Sequence, residues 1–189
     1  MNARKFLAVM LACFTSGTTA RARLGDSTEM LRERYGAPIR GLPSYAIPGG
    51  KIQRCVYVDR GFAVVVSLWR GCSTQEEFFK ISRGPTAEFV KAWFGANETF
   101  FDEDRAFVFE RNLRRHSLGF SREEIKAVLH ENSRGFGWSQ PSARRLEFQR
   151  DDHGATARYA VLKGLDERGE SLRVSTSSFA QMLDNPGAL

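Results

Sequence analysis

Histidine and cysteine are scarce, with three of each in 189 residues. His116, His130 and His153 are far apart in the chain. His130-Glu131 has no second histidine four residues from His130, so the zinc-protease helix pattern fails, and no metal or other cofactor is expected. There is no glycine-rich phosphate loop, no G-x-G-x-x-G after a strand and no G-x-S-x-G nucleophile elbow. Those absences argue against nucleotide-dependent chemistry and the serine-hydrolase pattern, and no catalytic residue is assigned. Apolar runs are short too, and none approaches the roughly 20 residues that a spanning helix needs.

The chain starts "MNARKFLAVMLACFTSGTTARARLGDS". Arg4 and Lys5 precede an apolar run, Phe6 to Phe14, and Ala20-Arg21-Ala22 forms a small-x-small site. This is the layout of a secretory signal peptide, with cleavage expected after Ala22 and a periplasmic or extracellular destination. Met10, Leu11 and Ala12 fit a lipobox before Cys13 poorly. Removing residues 1–22 takes away Arg4, Lys5 and Arg21 and no acid, so cations fall from 28 to 25 against 22 acids. The remaining charge is mildly basic and mixed in sign. A nucleic-acid partner is not expected, because it would call for a clustered basic face. Cys55 and Cys72 remain, too few for a disulfide framework.

What is present is core material and turn chemistry. Fifteen phenylalanines and three tryptophans supply the apolar mass of a folded domain. "GDSTEMLRERYGAP" predicts a helix capped by Asp26 or Ser27 and stopped by Gly36 and Pro38. "IRGLPSYAIPGG" reads as a loop. Strands are expected at about Lys51–Val58, Phe62–Trp69 and a third ending near Ile81, with turns at Gly61 and Gly71. In the second half, Ser121 and Glu124 form a capping box before an apolar stripe of Ile125, Val128 and Leu129. Strands are expected at about Arg144–Arg150, Ala155–Leu162 and Glu170–Ser175.

The halves align. An offset of 93 carries Asp59 to Asp152, Gly61 to Gly154, Gly71 to Gly164, Phe79 to Leu172 and Ile81 to Val174. Only five of the 32 positions from Lys51 to Ser82 are identical, so phase matters more than identity. Phe62, Val64, Val66 and Leu68 fall on Ala155, Ala157, Tyr159 and Val161, and a one-residue slip would invert every face. The expected fold is therefore α+β, built from two helix-plus-antiparallel-meander repeats that share a core or a continuous sheet. The division is a signal peptide at 1–22, a first repeat at 23–82, an insertion at 83–120 and a second repeat at 121–189. Within the insertion, Phe89, Val90, Trp93 and Phe94 recur at helical spacing, while "RAFVFERN" (Arg105–Asn112) reads as a strand.

The outward face does not repeat, since Val65 and Trp69 correspond to Arg158 and Leu162. These four residues are the candidate interaction surface, although the insertion helix is expected to cover the Val65–Trp69 side. Scattered acid–base candidates are Glu123, His130, Asp152 and His153.

Gly25, Ser27, Leu31, Tyr35, Gly36 and Pro38 match the pattern G-x-[ST]-x-x-x-[VL]-x-x-x-[LY]-G-x-P. The stretch resembles the helix entry of small exported bacterial domains of the SmpA/OmlA outer-membrane lipoprotein type and the beta-lactamase-inhibitor-protein type. The resemblance covers about 14 residues and implies a short helical segment against an antiparallel sheet, a tandem duplication in the inhibitor type, and action by binding. Three functional readings follow. The first is an exported non-enzymatic binding or envelope-assembly module, with another envelope or secreted protein as partner. The second is a hydrolase-type enzyme using the scattered acid–base groups. The third is a surface protein that takes anionic lipid or glycan through Arg111–Arg115 and Arg144-Arg145.

Overall fold

The computed structural model describes residues 24–47, 49–81, 103–141, 146–161 and 169–184, with the backbone alone for 103–108 and 116. Eight strands form one antiparallel sheet: β1 (Arg40–Ile47), β2 (Gly50–Asp59), β3 (Phe62–Trp69), β4 (Cys72–Lys80), β5 (Trp138–Ser139), β6 (Glu147–Arg150), β7 (Ala155–Val161) and β8 (Glu170–Thr176). Their spatial order is β1-β2-β3-β4-β8-β7-β6-β5. Each half is a meander, and the halves meet where β4 pairs antiparallel with β8. Among the described residues the helices are α1 (Thr28–Tyr35), α2 (Glu103–His116), α3 (Arg122–Glu131) and α4 (Ser177–Asp184).

Capping sets two of these helices. The Ser27 side chain accepts from the Met30 N–H, and Ser121 accepts from Glu124 while the Glu124 carboxylate accepts from the Ser121 N–H. Both helices lie on the first face of the sheet. Leu31 and Tyr35 of α1 and Ile125, Val128 and Leu129 of α3 pack there on Tyr57, Val64, Val66, Phe78, Ala155, Ala157, Leu172 and Val174. Burying each large aliphatic side chain contributes about 1.5–3 kcal/mol. The second face carries α2 and α4. Phe109 and Leu113 of α2 cover Val56, Ala63, Val65 and Phe79, while Phe179 and Met182 of α4 cover Ile52.

Two expectations on local structure are corrected. "IRGLPSYAIPGG" is largely strand β1, not a loop. Pro43 is tolerated because β1 is an edge strand, and its register with β2 shifts between Leu42 and Tyr45. "RAFVFERN" is helix rather than strand, because Phe109 and Leu113 four residues apart reach the same apolar site. The stripe at Phe89–Phe94 lies outside the described residues.

The turns also differ between the halves. Asp59 pairs with Phe62, and Trp69 with Cys72, across two-residue turns. In these turns Arg60 (φ 43°) and Gly61 (φ 87°), and Arg70 (φ 53°) and Gly71 (φ 79°), are left-handed. Such type I′ turns match the right-handed twist of the strands. In the second half, four residues separate β6 from β7, and the left-handed residue is His153 (φ 56°) rather than Gly154. Gly164 lies outside the described residues.

The 93-residue offset does hold β3 against β7 in phase. It fails at the next strand, because Phe79 lies on the second face and Leu172 on the first. Pairing equates Lys80, opposite Phe62, with Thr176, opposite Ala155, which is an offset of 96. The longer β7–β8 connection accounts for the three extra residues. With that shift, Phe78 and Val174 fall together on the first face.

Candidate functional site

Three of the four residues of the expected interaction surface can be placed. Val65 is buried under α2, and Trp69 is half-buried against Phe179 and Met182 of α4. Neither is a free surface. Arg158 lies on the same sheet face but on the other side of the β4–β8 seam, where its side chain is 71% exposed. Leu162 lies outside the described residues.

Beside Arg158 the second face opens into a cavity of about 500 Å³ between α4 and the floor formed by β4, β8, β7 and β6. Two cross-strand rungs make that floor. One reads Glu77, Arg173, Arg158, Glu147, each the direct register partner of the next. The other reads Gln75, Ser175, Thr156, Gln149. Alternation puts all eight side chains on one face. The sequence around each strand looks merely polar at alternate positions; the rungs exist only once four strands are side by side.

The charged rung is anchored at its inner end. Glu77 is buried, takes hydrogen bonds from Arg173 Nη2 (3.2 Å) and Ser171 Oγ (3.0 Å), and lies 3.7 Å from Arg114 Nη2 of α2. Glu110 of α2 then pairs with Arg54 at 2.6 Å, extending the polar seam beneath the helix. At the outer end, Arg158 Nε lies 3.4 Å from Glu147, in a pair open to water and worth little. In the second rung, Ser175 Oγ donates to Gln75 Oε1 at 3.3 Å.

The β6–β7 loop and the start of α4 close one end. Asp152 takes two hydrogen bonds from Arg150, Nε at 2.7 Å and Nη2 at 2.8 Å, and accepts from the Gly154 N–H at 2.9 Å. Those bonds, the Arg150 bonds foremost, hold its carboxyl below the usual carboxylate range. Arg150 itself is buried and donates to the Asn132 carbonyl at 3.2 Å, which ties the loop to the end of α3. Ser177 Oγ then donates to the His153 carbonyl at 2.6 Å, and the Ser177 N–H to the Gly154 carbonyl at 3.1 Å. So α4 starts from a fixed point.

The scattered acid–base candidates do not gather. Glu123 and His130 are exposed at opposite ends of α3, while Asp152 is committed to Arg150. Of these residues, His153 alone lines the cavity. Cys55 and Cys72 are free thiols on β2 and β4, with β3 between them. Burial pushes the Cys55 thiol up, away from nucleophilic ionisation. Among the described residues no three His, Cys, Asp or Glu side chains are grouped to hold a metal ion. Of the basic clusters, Arg111–Arg115 lies on α2, with Leu113 buried beneath it. Arg144 and Arg145 lie outside the described residues.

Sequence reasoning missed the groove because its floor joins strands up to about 100 residues apart. The available signal was the run of polar residues at alternate positions in β4, β7 and β8, which an all-apolar sheet face would not carry.

No family model matches the chain. No curated protein matches it either. A crystal structure of a cysteine-rich secretory protein from Staphylococcus aureus subsp. aureus Mu50 is similar at 12% identity and a TM-score of 0.39, over 86% of this chain. The match takes in 47% of that chain, so this protein spans about half of its length. Among the described residues, no helix is long and apolar enough to cross a membrane.

Proposed function

We propose that the protein is an exported binding module, without catalysis of its own, whose contact surface is the open groove on the second face. The observation that carries this reading is the groove itself, a cavity of about 500 Å³ on the sheet face opposite α1 and α3. Ligand sites are concavities in which a few polar side chains converge beside apolar ones, and here Ala180 and Leu183 supply the apolar part. Export rests on the basic, apolar and small-residue layout of residues 1–22.

The scaffold is read as a duplication of helix plus meander. The strand order, symmetric about the β4–β8 pair, supports this, as do Ser27 and Ser121 capping helices on the same face. On the sequence resemblance to small exported bacterial domains, the partner is another envelope or secreted protein, or a molecule such proteins meet.

The test is ligand-observed and protein-observed NMR with a panel of peptides, saccharides, carboxylates and phosphates. Shifts clustered on β6, β7, β8 and α4 are expected from at least one class. No perturbation of those elements by any class would overturn the reading. Finding residues 1–22 intact in the protein recovered from the envelope or medium would overturn cleavage after Ala22.

A further inference from the structure

Arg158 and Arg173 are direct register partners on β7 and β8, on the same face of the sheet. Like charges set opposite each other across an antiparallel pair repel and destabilise it. Each arginine has an acid on its other side, Glu77 for Arg173 and Glu147 for Arg158. The acids do not use up the donors. A guanidinium has five N–H groups in a planar fork. Arg158 engages Glu147 by one nitrogen at 3.4 Å. Arg173 donates to Glu77 through Nη2 at 3.2 Å; its Nε is shut off from water, so what it can offer a ligand is the Nη tip of its guanidinium. Both line the cavity, and one rung away the Ser175 and Thr156 hydroxyls line it too.

On the reading of the groove as a binding site, we propose that Arg158 and Arg173, with Ser175 and Thr156, form a subsite for one oxyanion group of the ligand, a carboxylate or a phosphate. Two neighbouring guanidinium groups can each donate to one of the paired oxygens of such a group. An anion between them also relieves the repulsion of the central pair. Glu77 and Glu147 balance the rung, and Asp184 adds an acid at the rim. The site therefore favours a group of low charge over a polyanion, and the hydroxyl and amide rung beside it suits the polar body of the same ligand.

The experiment titrates the protein, at constant ionic strength set with sodium chloride, with succinate, with inorganic phosphate and with a neutral disaccharide. It reads the backbone amides of β7 and β8 and the arginine Nε–Hε signals. Succinate or phosphate is expected to saturate signals of Arg158, Arg173, Ser175 and Thr156, and whichever binds identifies the source of the oxyanion. Arg158→Gln should weaken that binding roughly 10–100-fold, the range for a hydrogen bond to a charged group. Arg173→Lys keeps a cation beside Glu77 but loses the fork, and should weaken it by a similar factor with an unchanged thermal melt. Failure of both anions to saturate these signals, or unweakened binding to Arg158→Gln, would overturn the subsite. If the disaccharide or another neutral compound still perturbs the groove, the subsite alone falls. If no compound of any class does so, the binding reading falls with it.

Discussion

On the β1–β4 side of the second face, Val56, Ala63, Val65 and Phe79 lie under Phe109 and Leu113 of α2. On the β6–β8 side the same layer holds Glu147, Gln149, Thr156, Arg158, Arg173 and Ser175, and among the described residues no helix crosses the strand centres, α4 lying at one end. One sheet thus has a dry side and a wet side, divided along the β4–β8 pair. The dividing residues are themselves mixed: Gln75 and Glu77 are buried yet polar, and each bonds across the seam. The contrast teaches that cover decides the character of a strand face. Where α2 lies on the sheet, the alternate positions are mostly apolar and give its apolar side a partner, and the charged exception, Arg54, is met by Glu110 of the helix. Where none of the described helices lies, the same positions carry side chains able to meet solutes.

The largest expected effect comes from breaking the dry side. Phe109→Ala should cost about 3–5 kcal/mol in urea unfolding, because it removes an aromatic ring that is 4% exposed. A loss below about 1 kcal/mol would mean that α2 is not seated on the sheet.

The next test compares two neighbours on β4. Glu77 faces the seam, whereas Glu76 faces the first side, fully buried, with Tyr35 donating to it at 3.1 Å. Burial pushes the Glu76 carboxyl up to about 7; nearby Arg34 and the Tyr35 hydroxyl pull it down, and Asp26 and Glu131 push it further up. The folded state thus holds the proton more tightly than the unfolded one. The stabilisation is complete below the unfolded value of 4.5 and is lost as pH rises through about 7. Between those limits the wild type should lose about 3 kcal/mol. Glu76→Gln, which still accepts from Tyr35, should lack that step. Matching pH profiles of stability for the two proteins would contradict it.

Cutting at the seam should have a smaller effect. Glu77→Ala removes the acceptor of Ser171 and Arg173 and should cost roughly 2 kcal/mol by thermal or urea unfolding. Last, Arg158→Ala on the wet side should change stability by less than about 0.5 kcal/mol. A destabilisation above about 1 kcal/mol would show that the exposed rung is structural after all and would erase the distinction between the two sides.

The sequence carried the strands best where turns and alternation agree, as at Phe62–Trp69 between two Arg-Gly turns. It carried α1 and α3 through their serine caps. It misled at β1, where Gly41 and Pro43 look like loop residues because nothing local reveals that the strand is an edge. It misled at Phe109, where a short aromatic alternation fits both periods and only the partner surface decides for helix. The inward face of β3 and β7 could be phased by hand, but the β7–β8 connection shifted the register of β8, and no spacing rule reports the length of a connection. The groove was the least legible part. Arg158 was singled out for differing from Val65, yet the other members of its rung, Arg173, Glu77 and Glu147, come from three other strands.

The β4–β8 pair lies at the centre of the sheet, yet it joins residues about as far apart in the chain as any pairing here, Gln75 with Ser175 100 positions later. The outer hairpins close over a few residues; this pairing must close a long loop against its entropy. Folding should therefore proceed from the two flanks inward, with the middle of the sheet zipped last and the overall rate slow for a chain of this size. Until then β4 and β8 are both open edges, prone to pair with the wrong chain. Glu77, Arg173 and the polar rung beside them then act as gatekeepers: charged, specific in their match, and poor templates for a stranger's strand.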